Sequence, residues 1–206
     1  MMKNTLFALV FSLFSFGALA QEAPDALVHR VTEEVLDIVR KDKDIQKGDT
    51  KKVVALVEEK VLPNFNFQRM TSLAVGRDWR KADAAQKQRL AAEFQNLLVR
   101  TYANAFTGYN NQRVAYKPFK MAAGETDVLV RTEILQPGAK PMQIDYALEL
   151  GERGWKVYDV VVAGISLVTN YRDQFGQEVR NGGIDGLITS LSAKNKSLET
   201  GKVAGK

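Results

Sequence analysis

One acid and one base lie among aliphatic residues in the segment GWKVYDVVVAGISLVTNYRDQFG, residues 154–176. Strand alternation places Asp159 on the apolar face of its strand, together with Trp155, Val157 and Val161. Helical spacing at about 100° per residue places Arg172 inside the apolar stripe of the helix that follows. Because an unpaired buried charge is costly, both side chains need a partner or access to water.

Three interpretations of Asp159 and Arg172 remain open. In the first they are structural, either as an ion pair or with Asp159 accepting hydrogen bonds from amides at the start of the next helix. In the second, Arg172 contacts the phosphate of a ligand. In the third, Asp159 is the desolvated general base of an isomerase, and Tyr146 or Tyr158 donates to a developing oxyanion.

Other kinds of chemistry have little support in the sequence. The chain contains no cysteine, so thiol catalysis is excluded, and its single histidine, His29, has no second histidine with which to share a metal. The sequence contains no HExxH motif, no calcium-binding loop, no GxSxG motif and no phosphate-binding glycine loop. We therefore predict no metal and no cofactor.

The first twenty residues have the features of a secretory signal peptide. Lys3 precedes an uncharged apolar run, residues 5–16, and the run is followed by the small residues Ala18 and Ala20 of a cleavage site. We predict that residues 1–20 are removed, that residues 21–193 form one domain and that residues 194–206 form a flexible lysine-rich tail. The processed protein would be periplasmic, and its modest, dispersed positive charge does not indicate nucleic-acid binding.

The elements that position these residues follow from the apolar periodicity. Helical spacing predicts amphipathic helices over residues 25–40 and about 53–61, and a short helix that ends at Gly76. The long helix that follows is opened by a capping box at Asp83 and Gln86. The period then changes to two in four segments, which predicts strands near residues 113–119, 126–135, 141–150 and 154–162.

Two further helices are predicted at residues 165–181 and 184–193. Helices, then an antiparallel meander, then helices again are typical of an α+β domain with a curved antiparallel sheet of about four strands. Helices at both ends of the chain would wrap this sheet. Such an arrangement can enclose an apolar cavity, although helices packed on the sheet without any cavity fit the same pattern.

Three ordered blocks carry a resemblance to a known family. WKVYDVVVAGISLVTNYRDQF (155–175), VLPNFNFQRMTSLAVGRDWR (61–80) and FQNLLVRTYANAF (94–106) resemble the characteristic segments of the MlaC family, also called toluene-tolerance proteins. The resemblance implies a cone-shaped sheet similar to that of NTF2-like proteins, with phospholipid acyl chains in a deep apolar cavity. It also implies a non-enzymatic periplasmic carrier that maintains outer-membrane lipid asymmetry. Its partners would be an outer-membrane lipoprotein-porin complex and the MCE-domain subunit of an inner-membrane Mla ABC transporter.

Alternation and helical angle together predict the residues that line such a cavity, and each of them could equally belong to a filled core. The candidates are Leu73, Leu97, Tyr102, Phe106, Val130, Ile144, Tyr146, Leu148, Val160, Ile165, Val168 and Phe175. Arg172 is the candidate for contact with the lipid head group. Two alternatives to a carrier remain: the cone-shaped isomerase that uses Asp159, and an adaptor or chaperone that uses an exposed apolar surface.

Overall fold

Local capping signals set the helix boundaries in the first half of the chain. The computed structural model describes residues 21–103 and 112–200, so the predicted signal peptide, Phe106 and the last residues of the predicted tail lie outside it. Helix α1 spans Pro24–Lys41, with proline in its first turn, where a missing N–H costs nothing. Asp42 and Asp49 cap the next two helices through their side chains, and these helices are α2 (Lys43–Gln46) and α3 (Thr50–Leu56).

The middle helices follow the predicted order. A π-helical turn (Val57–Val61) and a 3-10 turn (Leu62–Asn64) lead to α4, which spans Phe67–Val75. After a second 3-10 segment (Gly76–Lys81), α5 covers Ala84–Tyr102. The predicted capping box is confirmed, because the Asp83 side chain accepts from the Gln86 amide and the Gln86 side chain accepts from the Asp83 amide.

The second half is an antiparallel sheet of five strands in sequential order. The strands are β1 (Arg113–Tyr116), β2 (Asp127–Leu135), β3 (Met142–Gly151), β4 (Gly154–Val162) and β5 (Ile165–Ser166). The α+β class with a curved, open sheet is therefore confirmed, with one strand more than predicted. The extra strand exists because Ala163 and Gly164 both have positive φ and reverse the chain tightly, so that Ile165 pairs with Val162.

A bulge in β4 changes which residues share a face. Val157 pairs with Leu148, whereas Asp159 pairs with Ala147, so Tyr158 is the additional residue on β4. The prediction that Asp159 lies on the same face as Val157 is therefore wrong. Strict alternation cannot foresee an inserted residue, and everything after Tyr158 is shifted to the opposite face.

Helix α6 spans Leu167–Glu199 and combines the two predicted C-terminal helices. A non-helical residue, Gly183, breaks it at the predicted position. Its first residue is Leu167 and not Ile165, because the Ser166 side chain caps it by accepting from the Thr169 amide. The sequence predicts an end near residue 193, but the helix continues to Glu199 because the buried Asn195 side chain donates to Glu93.

Three apolar clusters hold these elements together. The bundle core lies between α4, α5 and α6. The sheet core joins the start of α1 to strands β2, β3 and β4. The third cluster joins the second half of α1 to α2 and α3. We call the sheet face that α1 covers the inner face and the opposite one the outer face. No helix within the described ranges is long and apolar enough to cross a membrane.

Candidate functional site

Beyond the Leu150–Trp155 pair beside the β3–β4 turn, the inner face contains four rows of side chains that the strand register places side by side. No row contains a charged residue. The first row is Val128, Leu148 and Val157; the second is Val130, Tyr146 and Val160; the third is Tyr116, Thr132, Ile144, Val162 and Ile165; the fourth is Val114, Ile134 and Met142.

Exposed side chains appear only beyond the first row, although Val130 in the second row and Thr132 in the third are still buried. Leu148 in the first row is 0% exposed, because Leu27 and Val28 of α1 pack against that row. In the second row Tyr146 and Val160 are only half-buried. At the far end of the third and fourth rows, Ile165 is 62% exposed and Met142 is 42% exposed. The inner face is therefore a filled core at one end and, at the other, an apolar surface that none of the described elements covers.

The polar groups of the inner face are neutral hydroxyls that bond to one another, to the backbone or, at Tyr116, to Glu33 of α1. The Thr132 hydroxyl donates to the Ile144 carbonyl at 2.8 Å. Burial raises the pKa of Tyr146 to about 12, against weaker opposing hydrogen bonds from Thr132 and Thr32. Tyr146 is therefore uncharged at neutral pH, and the face carries no charge that would repel a hydrocarbon chain.

One side of the face is tied to α1 by polar contacts. The Tyr116 hydroxyl donates to the Glu33 carboxylate at 3.1 Å, and the Tyr116 ring lies 4.5 Å from the imidazole of His29. Burial, followed by the contact with Glu33, holds the pKa of Tyr116 above its usual value. These contacts fix the middle of α1 beside β1 and leave the fourth row beyond it.

The structure divides the predicted lining residues between two regions. Five of them lie together on the inner face: Val130, Ile144, Tyr146, Leu148 and Val160. Four others belong to the bundle core or pack against it: Leu73, Leu97, Val168 and Phe175. Ile165 lies at the exposed end of the third row, Tyr102 is exposed at the end of α5, and Phe106 falls outside the described residues.

Sequence reasoning missed several members of the inner face. Val114, Tyr116, Thr132, Ile134, Met142 and Val162 belong to its third and fourth rows. The available signal was alternation in β1 and β2, where every second residue is apolar or a threonine. What alternation lacks is the register between strands, which decides which side chains become neighbours.

Asp159 and Arg172 do not form a pair, which corrects the first interpretation in part. Asp159 accepts from the Ser166 hydroxyl at 2.5 Å, from its neighbour's amide, Val160 N, at 2.8 Å and from the Val168 amide at 3.2 Å. The last contact is the predicted bond to the start of the following helix. Arg172 is exposed and donates to the Leu73 carbonyl at 3.1 Å, so its predicted place inside the apolar stripe is wrong.

The outer face carries an ionic cluster that the sequence did not reveal. Arg69 of α4 forms ion pairs with Glu149 and Asp127, and its guanidinium lies 3.6 Å from the centre of the Tyr158 ring. The Tyr158 hydroxyl donates to Asp127 at 2.7 Å, and Asn66 donates to Glu149 at 2.6 Å. The cluster links the bundle to the sheet, and only the three-dimensional arrangement brings residues so distant in sequence together.

Two clefts lie away from the second to fourth rows of the inner face. One of about 720 Å³ lies between the start of α1 and the β3–β4 turn, and one of about 220 Å³ lies beside β2. None of the predicted lining residues borders either cleft. Within the described part of the chain, no group of three or more histidine, aspartate or glutamate residues is placed to hold a metal ion.

Known proteins are similar to this chain in sequence and in fold. The MlaC protein family matches residues 29–193. The Intermembrane phospholipid transport system binding protein MlaC of Haemophilus influenzae is 26% identical over 188 residues, which cover 90% of this chain and 88% of that protein. The toluene tolerance protein ttg2D of Pseudomonas putida is 26% identical over 177 residues, covering 85% and 82%.

A solved structure extends the likeness to three dimensions. The phospholipid-binding protein from Ralstonia solanacearum, determined in complex with a phospholipid, superposes with a TM-score of 0.79. It is 39% identical, and the match covers 85% of this chain and 98% of that one. Because the family match spans most of the sequence, the chain belongs to the MlaC protein family.

Proposed function

We propose that this protein is a periplasmic carrier of phospholipid whose acyl chains lie on the second to fourth rows of the inner face. The observation that carries the proposal is the gradient of burial across an uncharged apolar face, from 0% exposure at Leu148 to 62% at Ile165. A monomer that leaves such a surface uncovered normally uses it for binding. The relative solved with a bound phospholipid supports a lipid as the ligand.

A carrier of this kind needs no energy source of its own. Each methylene transferred from an apolar environment into water costs about 0.8 kcal/mol, so a sixteen-carbon chain loses roughly 12 kcal/mol. Unassisted diffusion of a lipid with two such chains is negligible. An apolar lining that matches the bilayer interior makes transfer in either direction nearly neutral, which agrees with a sequence that contains no nucleotide-binding loop.

The carrier would move lipid between the two membranes of the cell envelope. Its docking partners would be the lipoprotein-porin complex of the outer membrane and the MCE-domain subunit of the inner-membrane Mla ABC transporter, and its role would be to maintain lipid asymmetry. The name of the Haemophilus relative and the predicted signal peptide support this proposal. Cell fractionation and N-terminal sequencing test its location: we expect a periplasmic protein that begins at Gln21.

The geometry does not favour the isomerase alternative. Asp159 lies on the outer face, away from the apolar rows, and both of its oxygens already accept hydrogen bonds. A general base needs a free oxygen directed at the substrate proton. The bonds to Ser166 and Val168 instead give Asp159 a structural role at the β4–β5 corner.

Lipid analysis of the purified protein tests the proposal directly. Protein expressed with its signal peptide and purified without detergent should contain phospholipid in a fixed ratio, measured by native mass spectrometry and by solvent extraction. A fixed ratio also separates a carrier from an adaptor with an exposed apolar patch. Lipid-free protein that takes up none from vesicles would refute the carrier.

Two adjacent valines provide a matched test of where the acyl chains lie. Val160 and Val161 are both half-buried on β4, but Val160 lies on the inner face and Val161 on the outer face. Val160→Trp should fill space on the second row and reduce bound lipid by more than about half, a steric effect of overpacking. Val161→Trp should leave the lipid content near that of the wild type. Equal lipid content in two folded variants would contradict the inner-face site.

A further inference from the structure

The uncovered end of the inner face has a rim of two apolar side chains. Met142 ends the fourth row and Ile165 ends the third, and Ile165 has the highest exposed fraction among the large apolar side chains described. Half-buried Ile144 and Val162 continue the apolar surface inward from this rim. Hydrocarbon could therefore pass from Ile165 to Tyr146 without meeting a charged group.

Local structure holds Ile165 in its exposed position. The turn at Ala163 and Gly164 pairs Ile165 with Val162, and the Ala163 amide donates to the Gln143 carbonyl at 2.9 Å. Ser166, the next residue, is fixed by its 2.5 Å bond to Asp159. The exposure of Ile165 is thus a property of a well-bonded corner of the sheet and not of a loose chain end.

We propose that Met142 and Ile165 form the portal over which the acyl chains enter and leave the inner face. The inference rests on the proposed carrier function and adds the route that the lipid takes. An exposed apolar rim shortens the path on which each methylene of the lipid is in contact with water, and so lowers the barrier to transfer. The rim should therefore control the rate of loading more than the amount of lipid held.

The occupant of the rim is an acyl chain and not a protein surface. The two residues are continuous with the apolar rows of the lipid site, whereas a stable protein interface needs about 800 Å² on each partner and a polar margin. Two side chains at the end of an apolar face offer an area that suits a hydrocarbon chain better than such an interface.

Charge substitution at the rim gives the main test. The double variant Met142→Glu, Ile165→Glu should slow the uptake of fluorescent phosphatidylglycerol from vesicles about tenfold and should lower the lipid held at equilibrium by a smaller factor. The matched control is Met121→Glu, Leu129→Glu, which alters two other exposed apolar residues, with Leu129 on the outer face. The control should load at the wild-type rate. All four positions are exposed, so the fold should survive both double variants.

The outcomes separate the portal from the carrier function. If the wild type loads lipid and both double variants load equally fast, the portal is overturned while the carrier proposal stands. If the wild type takes up no lipid at all, both proposals fall. Slow loading of the rim variant alone, by a larger factor than its loss of lipid at equilibrium, supports the portal.

Contact between lipid and rim can be measured on the same positions. The chain has no native cysteine, so Ile165→Cys, Met142→Cys and Leu129→Cys each offer a single labelling site. A bimane label at the first two positions should be quenched by lipid that carries a nitroxide on its acyl chain, and the label at Leu129→Cys should not. Equal quenching at all three positions would overturn the portal.

Discussion

The bundle core and the inner face are built from similar residues but differ in how completely they are covered. In the bundle core Phe94 is 0% exposed, and its ring makes edge contacts with Tyr171 and Phe175 at 5.2 and 5.1 Å between centroids. On the inner face the same kind of apolar surface passes from buried Leu148 to exposed Ile165. The difference shows that an apolar stripe stabilises the fold where a second element covers it and remains available to a ligand where none does.

The largest difference is expected between alanine substitutions in the bundle core, which stabilises the fold, and on the inner face, which is proposed to bind lipid. Phe94→Ala removes a fully buried ring from two aromatic neighbours and should lower the free energy of unfolding by about 3–5 kcal/mol. Ile144→Ala, on the half-buried third row, should cost about 1 kcal/mol, because less contact is lost. Urea denaturation of lipid-free protein measures both values. Similar losses for the two variants would mean that the inner face is as well packed as the bundle.

The second-largest effect on the free energy of unfolding is expected at the ionic cluster of Arg69, which links the bundle to the sheet. Arg69→Ala removes the ion pairs to Glu149 and Asp127 and leaves a partly buried carboxylate without its cation, so we expect a loss of about 1–3 kcal/mol. The control is Arg30→Ala, which breaks a well-aligned but solvent-exposed pair with Glu22. That pair should contribute less than about 1 kcal/mol. Urea midpoints that fall equally for both variants would show that the cluster is no more than a surface contact.

Apolar periodicity predicted most of the helices and strands. The comparison of the bundle core with the inner face shows what periodicity could not predict. The capping box at Asp83 and the alternation in β3 are local signals, and the structure confirms both. Whether a second element buries an apolar side chain is not a local property. Leu97 and Ile144 have the same apolar character in the sequence, yet Leu97 lies in a filled core and Ile144 is half-buried on the inner face. Which surface a helix covers depends on contacts between distant segments.

The bulge in β4 and the extra strand β5 show a second limit of prediction from the residue pattern. A single additional residue at Tyr158 moved Asp159 to the outer face, and a two-residue turn converted the predicted start of a helix into β5. Residue preferences for strand span only about 1 kcal/mol and change with context, which is too little for a residue pattern to specify a single inserted residue or a tight turn. The interpretation of Asp159 as a catalytic base on the apolar face failed because of this single inserted residue.

Tyrosine ionisation offers a probe of each sheet face. Burial raises the pKa of Tyr146 on the inner face and, with the bond to Asp127, that of Tyr158 on the outer face, each to about 12. In the unfolded chain both would lose their protons near pH 10. The unfolded state then binds fewer protons, so this stability is complete below about pH 10 and is lost as the pH rises towards 12.

The free energy of unfolding, measured by urea denaturation between about pH 9 and 11, should therefore fall as the pH rises. Tyr146→Phe should make the fall shallower, because the substituted ring cannot ionise in either state. An unchanged slope in this variant would mean that Tyr146 ionises as freely in the folded protein as in the unfolded chain.

The smallest effect is expected at the turn that holds the portal. Ala163 has a φ of 49°, a left-handed conformation that alanine adopts at a cost and asparagine tolerates, so Ala163→Asn should raise the free energy of unfolding by about 0.5–1 kcal/mol. Gly164→Ala is the converse control: no other atom lies within 4 Å of the added methyl group, so a loss of about 1 kcal/mol would come from the backbone alone. Opposite shifts in thermal midpoint, with unchanged lipid content, would show that turn geometry and not side-chain packing stabilises the open end of the sheet. A midpoint lowered by both substitutions would contradict that conclusion, because it would mean that Ala163 makes contacts that asparagine cannot replace.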